Sequence, residues 1–395
     1  MRLSAKLPGS LTARRTALAC AAVAAVLSGT TVAYAGLHPA TRVLVTPDRT
    51  VGFDGTVWAS TYAGTTLYVG GDFHHAIVNG RLVPRTRLGA IDTRTGALLP
   101  WAPVANSIVR ALSADSRWLY VAGAFTTVAG QPRAGLASVD LRTGAAGPLR
   151  HTLTGAAYAL ATGAGRLYLG GTFSKVDGRT VANLAAVNLA TGALDTGFRA
   201  TTDDRVSTLV ASGGRLYVGG HFRRLDGAGN HARLGAVGLF DGRLDAGFRA
   251  YAPYWVDGVT LGPGAVYAGL AGPGGRAIRY RLDGTALWTS VTDGDVQAIG
   301  YLNGVVYAGG HFTVACPLTS RTPASWCPSA LVARHKIAAL DATTGRLTAW
   351  NPGTSGRAGV VTMSVAGAPD RLAIGGDFTV AGGVAHGHVA QWTNP

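Results

Sequence analysis

Leu67–Phe73 reads LYVGGDF, and the same strand-like pattern returns six more times along the chain. The later copies are Leu119–Phe125 (LYVAGAF), Leu167–Phe173 (LYLGGTF), Leu216–Phe222 (LYVGGHF), Val266–Gly272 (VYAGLAG), Val306–Phe312 (VYAGGHF) and Leu372–Phe378 (LAIGGDF). Their start-to-start spacings of 52, 48, 49, 50, 40 and 66 residues average close to 51, which is also one seventh of residues 36–395. A period of this length indicates an architecture built from one repeated unit.

Each unit has the same order of predicted strands. An alternating stretch such as Val206–Ala211 leads through a Gly-rich turn into the motif, as in a hairpin. A variable loop follows, then a third strand such as Arg87–Asp92, and then an Asp-x-x-Thr-Gly turn that Asp starts and Gly ends. A fourth strand is predicted to end at an aromatic residue, namely Trp101, Phe198, Phe248, Trp288 or Trp350.

Seven units of four short antiparallel strands predict an all-β fold, a seven-bladed β-propeller. A linear β-solenoid is the alternative, but its rungs are shorter. The last unit stops at Pro395 without a fourth strand, whereas a surplus β-rich stretch, Thr41–Pro47, precedes the first unit. We expect this N-terminal strand to complete the last blade and close the ring, which removes exposed sheet edges.

The composition supports a β fold and excludes several kinds of site. All 20 acidic residues of the 395-residue chain are Asp, so zinc-protease His-Glu-x-x-His motifs and the glutamate of an EF-hand loop are excluded. The 57 glycines lower helix propensity. The sequence also has no Gly-x-Ser-x-Gly elbow, no Cys-x-x-Cys and no phosphate-binding Gly-Lys-Thr or Gly-Lys-Ser.

Residues 1–35 have the features of a secretory signal peptide. A basic start is followed by the apolar stretch Ala17–Gly29 and by Ala33-Tyr34-Ala35, a small-residue cleavage signal. The pair Arg14-Arg15 is compatible with twin-arginine export, and an uncleaved membrane anchor is the alternative reading. We therefore expect residues 36–395 to form one secreted, monomeric domain without a membrane or nucleic-acid partner.

The predicted mature domain is basic and carries one cysteine pair. Removal of residues 1–35 takes away four basic residues and no acidic ones, which leaves +11 of the formal charge of +15. Cys316 and Cys327 lie in the longest predicted loop, residues 313–335, and an oxidising compartment favours a disulfide between them. Trp326 in this loop offers a ring that a sugar can stack on.

The repeats resemble the delta-60 repeat of bacterial extracellular β-propellers. The resemblance rests on LYVGGDF followed by RLGAIDTRTGALLPW, and on NLAAVNLATGALDTGF and RLGAVGLFDGRLDAGF, and it covers about Val57–Trp392. It implies the propeller architecture but no activity. The stretches from Ala90 to Trp101 and from Ala339 to Trp350 also resemble the blade motif of quinoprotein dehydrogenases, with one extra residue before Trp. Those enzymes rely on a glutamate and adjacent cysteines that this chain lacks, so no quinone cofactor is expected.

One candidate site lies immediately before the motif Phe. In the six clear copies this position holds Asp or His four times, at Asp72, His221, His311 and Asp377. Closure of the ring predicts that His311, Asp377 and Asp72 lie side by side, with His74 and His75 just beyond. Such a cluster suits metal binding or general acid and base catalysis. The alternative, which we favour, is that these side chains hydrogen-bond the backbone of a neighbouring blade.

A second candidate set precedes the first strand of three units. Asp54, Asp203 and Asp293 each stand three residues before a strand-starting valine. Carboxylates near a channel are suitable calcium ligands. Capping of turns is the favoured alternative, because Asp side chains stabilise turns and the three units are not all adjacent. Apart from calcium or another metal ion at these candidate sites, no cofactor is expected.

A third candidate is a basic loop face. The loops after the motif contain Arg223, Arg224 and Arg321, together with Arg81, Arg85, Arg133, Arg179 and Arg334. Guanidinium groups bind carboxylates and phosphates, so we expect such a face to suit an anionic glycan or polymer. Scattered exposure without a function is the alternative.

These observations favour a secreted binding module over an enzyme. Uniform strands with variable loops are typical of scaffolds that bind through their loops, and the expected partner is an extracellular polymer, glycan or protein. The alternative is an extracellular polysaccharide hydrolase or lyase that acts through Asp72, Asp377 and the nearby histidines.

Overall fold

The computed structural model describes residues 44–323, 326–327 and 330–394, which belong to a compact unit at Ala40–Pro395. The predicted signal segment 1–35 lies outside the described residues. Apart from one short 3₁₀ turn at Gly229–His231, the regular structure in the described ranges is β-strand. Within these ranges no helix is long and apolar enough to cross a membrane.

The strands follow the seven repeats in chain order. Repeat one contains β1 (Gly52–Phe53), β2 (Val57–Ala63), β3 (Thr66–Gly71), β4 (His75–Val78), β5 (Arg81–Pro84) and β6 (Leu88–Asp92). Repeat two contains β7 (Val109–Ala114), β8 (Trp118–Gly123), β9 (Thr127–Val128), β10 (Gln131–Pro132) and β11 (Leu136–Asp140). Repeat three contains β12 (Leu153–Thr154), β13 (Ala157–Gly163), β14 (Arg166–Gly171), β15 (Lys175–Val176), β16 (Arg179–Thr180) and β17 (Leu184–Asn188).

The remaining strands continue this order. Repeat four contains β18 (Val206–Ser212), β19 (Arg215–Gly220) and β20 (Leu234–Gly238), and repeat five contains β21 (Trp255–Gly262), β22 (Ala265–Ala271), β23 (Arg276–Arg281) and β24 (Ala286–Val291). Repeat six contains β25 (Val296–Leu302), β26 (Val305–Gly310), β27 (Val314–Ala315), β28 (Val332–Ala333) and β29 (Ile337–Asp341). Repeat seven contains β30 (Val360–Ala366), β31 (Arg371–Gly376), β32 (Val380–Ala381), β33 (Val384–Ala385) and β34 (Val389–Thr393).

Each repeat builds one antiparallel main sheet, which we number one to seven with the repeats. The hairpin and the third strand form as the sequence predicts, but the fourth strand does not. A fourth strand is present only in sheet five, where β24 pairs with β23. In five other repeats a single bridge replaces it, as between Ile91 and Leu98 in repeat one. The tight Thr-Gly turn returns the chain to the third strand for one bridge, and the chain then continues to the next sheet.

The predicted variable loop after the motif is instead a short hairpin in most repeats, which we call the arm hairpin. In repeat one β4 pairs with β5 and also with β1, which stands just before the first strand of the main sheet. Repeat three has the same arrangement with β12, β15 and β16. The arm hairpins therefore tie the loop after strand two to the segment before strand one.

A β-bulge marks the start of the first strand in every main sheet. In sheet one Val57 lies opposite Gly71 and Ala59 opposite Gly70, so the intervening Trp58 has no partner. The same register shift occurs in the other six main sheets. Gly71 is required there because a Cβ would collide with the carbonyl oxygen of Thr56. Bulges change the direction in which a side chain points, and here they set apart one residue per sheet.

Neighbouring sheets share apolar cores. The tyrosine of the motif packs on the aromatic residue that ends its own repeat, as with Tyr68 and Trp101, whose ring centroids are 5.0 Å apart. The same two side chains donate to the next repeat, Tyr68 Oη to the carbonyl of Leu141 and Trp101 Nε1 to that of Asp140. Aromatic pairs of this kind add about 0.5–1.5 kcal/mol to the stabilisation from buried area.

The first and last sheets are also in contact. One apolar cluster joins Phe53, Val57 and Leu67 of repeat one to Ala373 and Val389 of repeat seven. The hydroxyl groups of Ser60 in β2 and Ser364 in β30 are 2.8 Å apart.

The N-terminal segment joins repeat seven without forming a strand. The predicted strand Thr41–Pro47 is wrong for its described part, residues 44–47, which have no ladder pairing, and residues 41–43 lie outside the described ranges. The backbone N–H of Asp48 donates to the carbonyl of Gln391 in β34. Trp392 Nε1 donates to the carbonyl of Val45. Single hydrogen bonds and side-chain contacts thus replace the expected ladder.

Candidate functional site

A cavity of about 420 Å³ is lined by the bulge residue of every main sheet. These residues are chemically different although their positions are equivalent; they are Trp58, Arg110, Tyr158, Ser207, Asp257, Gln297 and Val361. Arg205, which precedes the first strand of sheet four, also lines it. The scaffold thus presents seven unlike side chains from one repeated backbone position.

Two arginines and two aromatic rings alternate along one wall of this cavity. The Arg110 guanidinium carbon lies 6.0 Å from the ring centre of Trp58 and 5.6 Å from that of Tyr158. The Arg205 guanidinium carbon lies 4.3 Å from the centre of the same Tyr158 ring. Cation–π contacts of this kind orient a guanidinium group without neutralising its charge.

Both guanidinium groups keep their charge available for a ligand. Neither Arg110 nor Arg205 forms an ion pair within the described part of the chain. Trp58 Nε1, Arg205 Nε and Ser207 Oγ are buried without a protein hydrogen-bond partner. Because unsatisfied buried donors are costly, this wall favours a ligand that carries acceptor oxygens.

Sheet five contributes Asp257 to the lining, and the predicted site residue His221 contacts it. His221 Nε2 lies 3.3 Å from Asp257 Oδ1, and the His221 ring stacks on Trp255 at 4.5 Å. Trp255 is half exposed, so it extends an aromatic surface outward from the cavity edge. Asp257 is the single acidic residue in the lining.

Asp72 and His74 lie together, but with an arginine rather than with the other predicted residues. The Arg87 guanidinium pairs with the Asp72 carboxylate and also lies 3.1 Å from His74 Nε2. Asp54 accepts hydrogen bonds from the backbone N–H groups of His74 and His75 and from the His75 ring. Burial raises the pKa of Asp54, but these hydrogen bonds outweigh it and hold the pKa below its ordinary value.

Asp377 and His311 each contact groups of their own repeat. Asp377 accepts three backbone hydrogen bonds, from Arg357, Ala358 and Gly359, in the segment that enters its own sheet. The ring of His311 lies 3.4 Å from Asp295 Oδ2 of its own repeat. In the described ranges no hydrogen bond or ion pair joins His311, Asp377 and Asp72 to one another, and neither Asp72 nor Asp377 lines the cavity. The backbone partners belong to the same repeat, not to a neighbouring one as expected.

The second candidate set caps the arm hairpins. Asp203 Oδ1 accepts from the backbone N–H groups of Arg223 and Arg224, as Asp54 does from residues 74 and 75. Asp293 accepts in the same way from Thr313 and Val314. Hydrogen bonds from Thr313 and Val314 lower the pKa of Asp293 although burial opposes them. Among the described residues no group of three His, Cys or Asp side chains is placed to hold a metal ion.

The predicted basic loop face divides into two kinds of arginine. Arg223, Arg224 and Arg321 are exposed, as a docking face requires. Arg85, Arg133 and Arg334 instead place both terminal nitrogens on backbone carbonyls, and Arg133 is only 5% exposed. This second group therefore holds the fold together and does not contribute to an outer charged surface.

The insertion in repeat six contains the predicted disulfide. Cys316 and Cys327 are bonded, with their Cα atoms 5.6 Å apart. The insertion pairs with β24 of the neighbouring sheet through a bridge at Thr289, and with the residue after β24 through a bridge at Thr292. One face of Trp326 lies 5.5 Å from the guanidinium of Arg276, while the side chain remains 66% exposed. The long loop thus covers the short repeat five.

The sequence reasoning missed the bulge residues, although a signal was present. The residue after the strand-starting Val or Ala varies from Trp to Arg, Tyr, Ser, Asp, Gln and Val, while its neighbours in the strand stay uniform. Variation at one fixed position of a repeat is typical of a binding surface. Variation is usual in loops, whereas this variable position lies within a strand.

The described chain is similar to two crystal structures of low sequence identity. The computationally designed protein Ika8 is 14% identical with a TM-score of 0.52, over 87% of this chain and 97% of that one. The WD40 β-propeller domain of Doa1 is 10% identical with a TM-score of 0.55, over 89% of this chain and 96% of that one. No family model matches the sequence, and no curated protein matches it. The similarity establishes a β-propeller fold.

Proposed function

We propose that residues 36–395 form a closed, seven-bladed propeller of the delta-60 type. Seven equivalent main sheets support the blade number, and the apolar cluster shared by repeats one and seven supports closure. A cavity lined by one bulge residue from each sheet fits the mouth of a central channel. The domain then follows a signal peptide at residues 1–35, and the Cys316–Cys327 disulfide fits an extracellular location.

The function we propose for this propeller is recognition of an acidic extracellular glycan at the channel mouth. One observation carries this proposal: Arg110 and Arg205 flank Tyr158 in the cavity, and neither forms an ion pair with another described residue. Guanidinium groups bind carboxylates and sulfates through paired, charge-assisted hydrogen bonds. Trp58, Tyr158 and Trp255 add aromatic surface of the kind that packs against sugar rings.

The same cavity favours binding over turnover. Glycoside hydrolysis generally uses two carboxyl groups on either side of the scissile bond, and Asp257 is the single acidic residue in the lining. Asp377 is engaged by three backbone N–H groups, and Asp72 by Arg87. We therefore propose a binding module whose ligand leaves unchanged, in place of the alternative hydrolase or lyase.

A binding comparison between acidic and neutral sugars tests this function. The mature protein is titrated with oligogalacturonate and with the matching neutral oligogalactoside at low and high salt, and released reducing ends are assayed in parallel. Binding of the acidic ligand that weakens with salt, without new reducing ends, supports the proposal. Equal binding of both sugars, binding of neither, or release of reducing ends contradicts it.

A second titration distinguishes an acidic protein partner from an acidic glycan. The same titration uses a poly-aspartate peptide, which offers carboxylates without sugar rings. Tighter binding of oligogalacturonate than of poly-aspartate at equal charge supports the role of the aromatic surface. Tighter binding of the peptide overturns the glycan assignment and points to a protein ligand at the same cavity.

A further inference from the structure

Three repeats of this chain hold one of their own arginines in an equivalent slot. Arg85, Arg133 and Arg334 each stand three residues before the first residue of the third strand, Leu88, Leu136 or Ile337. The side chain reaches from the segment after the arm hairpin to the segment after the third strand, and desolvation by burial lowers the pKa of all three guanidinium groups. The slot is therefore a repeated feature of the fold.

The guanidinium head is bound in the same way each time. Nη1 of Arg133 donates to the carbonyl of Pro132 and Nη2 to that of Gly147, both at 2.7 Å. Arg85 and Arg334 repeat these contacts, at distances between 2.7 and 2.8 Å. In each case the second carbonyl belongs to the residue 14 positions after the arginine.

Repeat three has the slot but not the arginine. Val181 stands three residues before Leu184, the first residue of β17, and is too short to reach the second carbonyl. A cavity of about 390 Å³ opens here, lined by Thr180, Val181, Leu184, Leu194, Asp195 and Phe198 among others. Its volume falls within the range of small-ligand sites.

The two acceptor positions of the slot are retained in this cavity. Thr180 directly precedes Val181, as Pro132 precedes Arg133, and Asp195 follows Val181 by the same interval that separates Gly147 from Arg133. The Asp195 carboxylate is already paired with Arg166 at 2.7 Å, which leaves the backbone carbonyl as the equivalent acceptor. Leu184, Leu194 and Phe198 supply apolar walls for an alkyl stem.

Two arginines at the rim do not exclude a cationic guest. Arg179 and Arg199 line the cavity and are exposed, so solvent screens their charge. Repeat two is the precedent within this chain. Its slot holds Arg133 although desolvation, and to a lesser degree the charge of Arg150, lower the pKa of that guanidinium group.

We propose that the cavity of repeat three binds an arginine side chain of a partner polypeptide. The guest places its guanidinium group on the Thr180 and Asp195 carbonyls and its alkyl stem against Leu184, Leu194 and Phe198. In repeats one, two and six the slot is occupied by an arginine that is part of the polypeptide chain. This favours a polypeptide source for the ligand in repeat three over a free small molecule. The two acceptors are neutral carbonyls, and a guest that is part of a polypeptide brings amide groups in place of the charged α-ammonium and α-carboxylate groups of free arginine.

Calorimetric titration with small probes tests this assignment. The probes are Nα-acetyl-arginine methylamide, its citrulline analogue, which is uncharged, and free L-arginine. The expected result is binding of the capped arginine and binding of the other two that is weaker by about tenfold or more. Equal binding of the citrulline analogue overturns the guanidinium assignment, equal binding of free arginine overturns the polypeptide source, and no binding of the capped arginine overturns both.

The variant Val181→Arg provides the internal control, because it restores the side chain that the sister repeats contain. It is expected to raise the melting temperature and to abolish binding of the capped arginine, while oligogalacturonate binding at Arg110 and Arg205 is unchanged. Retained binding of the capped arginine in this variant overturns the proposal. If Val181→Arg does not fold, Val181→Met fills the slot without a guanidinium group and must also abolish binding.

Discussion

The carboxylate of Asp48 accepts hydrogen bonds from both the backbone N–H and the Oγ1 of Thr393, at 3.2 and 2.6 Å, across 345 residues of sequence. Gln391 Nε2 donates to the same carboxylate at 2.8 Å. One aspartate near the N-terminal end of the described chain thus binds the last strand, β34. We regard this contact as the latch of the proposed ring.

Removal of the latch is expected to destabilise the domain. Asp48→Ala leaves three donors in β34 without their acceptor, and the loss of buried hydrogen bonds to a charged group costs about 2–3 kcal/mol. A lower melting temperature in differential scanning calorimetry checks this. Asp241→Ala is the matched control, because its half-exposed carboxylate contacts Arg243 in its own turn and contributes about 1 kcal/mol or less. Equal melting temperatures for the two variants contradict the latch.

A second prediction concerns the contact between neighbouring sheets. The first glycine of the motif lies against the strand-starting valine of the next sheet, so a Cβ at Gly70 would collide with the Val109 side chain. Gly375 of repeat seven stands in the same relation to Val57 of repeat one. Between sheets two and three both residues are alanine, Ala122 and Ala157, and both belong to one core cluster.

The matched side-chain sizes at these two positions predict that substitutions there change the free energy of unfolding non-additively. Ala157→Val alone overpacks the contact with Ala122 and is expected to cost about 1–3 kcal/mol. Adding Ala122→Gly recreates the Gly–Val pair of the other sheets and is expected to recover most of that loss. Urea unfolding of the wild type, both single variants and the double variant measures the coupling. Additive free energies contradict the proposed fit.

A third prediction concerns pH. Burial lowers the pKa of His231 and of His386 below the ordinary value of 6.5, and the two side chains are 1% and 5% exposed. The unfolded chain therefore binds protons at a higher pH than the folded chain does. The stability that depends on keeping these two imidazoles neutral is complete above pH 6.5 and is lost as the pH falls below that value.

Thermal unfolding between pH 7.5 and pH 5 measures this effect. The wild type is expected to lose stability as the pH falls below 6.5, and His386→Gln is expected to lose less over the same interval. A substitution at the exposed, non-titrating Gln131, Gln131→Ala, serves as the control and should leave the slope unchanged. Parallel slopes for wild type and His386→Gln contradict a role for the buried imidazole.

The repeat, and with it the main sheets, is predictable from sequence because each strand obeys local patterns. The predicted third strand Arg87–Asp92 differs from β6 by one residue, since Arg87 has a φ of +68° and cannot belong to the ladder. The fourth strands were overpredicted, because the aromatic residue that ends five of the repeats is positioned by its packing and, where it is a tryptophan, by hydrogen bonding. Trp101 shows this, as its Nε1 donates to the carbonyl of Asp140.

The site was harder to predict because a bulge changes the alternation of a strand. In a regular strand Trp58 is one of the alternating residues of the hairpin; the register shift between Val57 and Ala59 places it in the cavity lining. Of the positions that appeared chemically promising, Asp377 accepts three backbone N–H groups and Asp72 pairs with the Arg87 side chain. Pairing register and hydrogen-bond partners depend on tertiary contacts and are not encoded by residue type alone.

The binding account depends most on the two arginines that flank Tyr158. Isothermal titration of oligogalacturonate into the wild type and into Arg110→Gln/Arg205→Gln tests it directly. Arg223→Gln/Arg224→Gln is a control of equal charge change on the exposed loop after the motif of repeat four. The account predicts that the cavity variant loses about 100-fold or more in affinity, at about 1.5 kcal/mol or more for each charge-assisted contact, while the control stays within about threefold of wild type. Equal losses in both variants, or a loss in the control alone, would contradict recognition at the channel mouth.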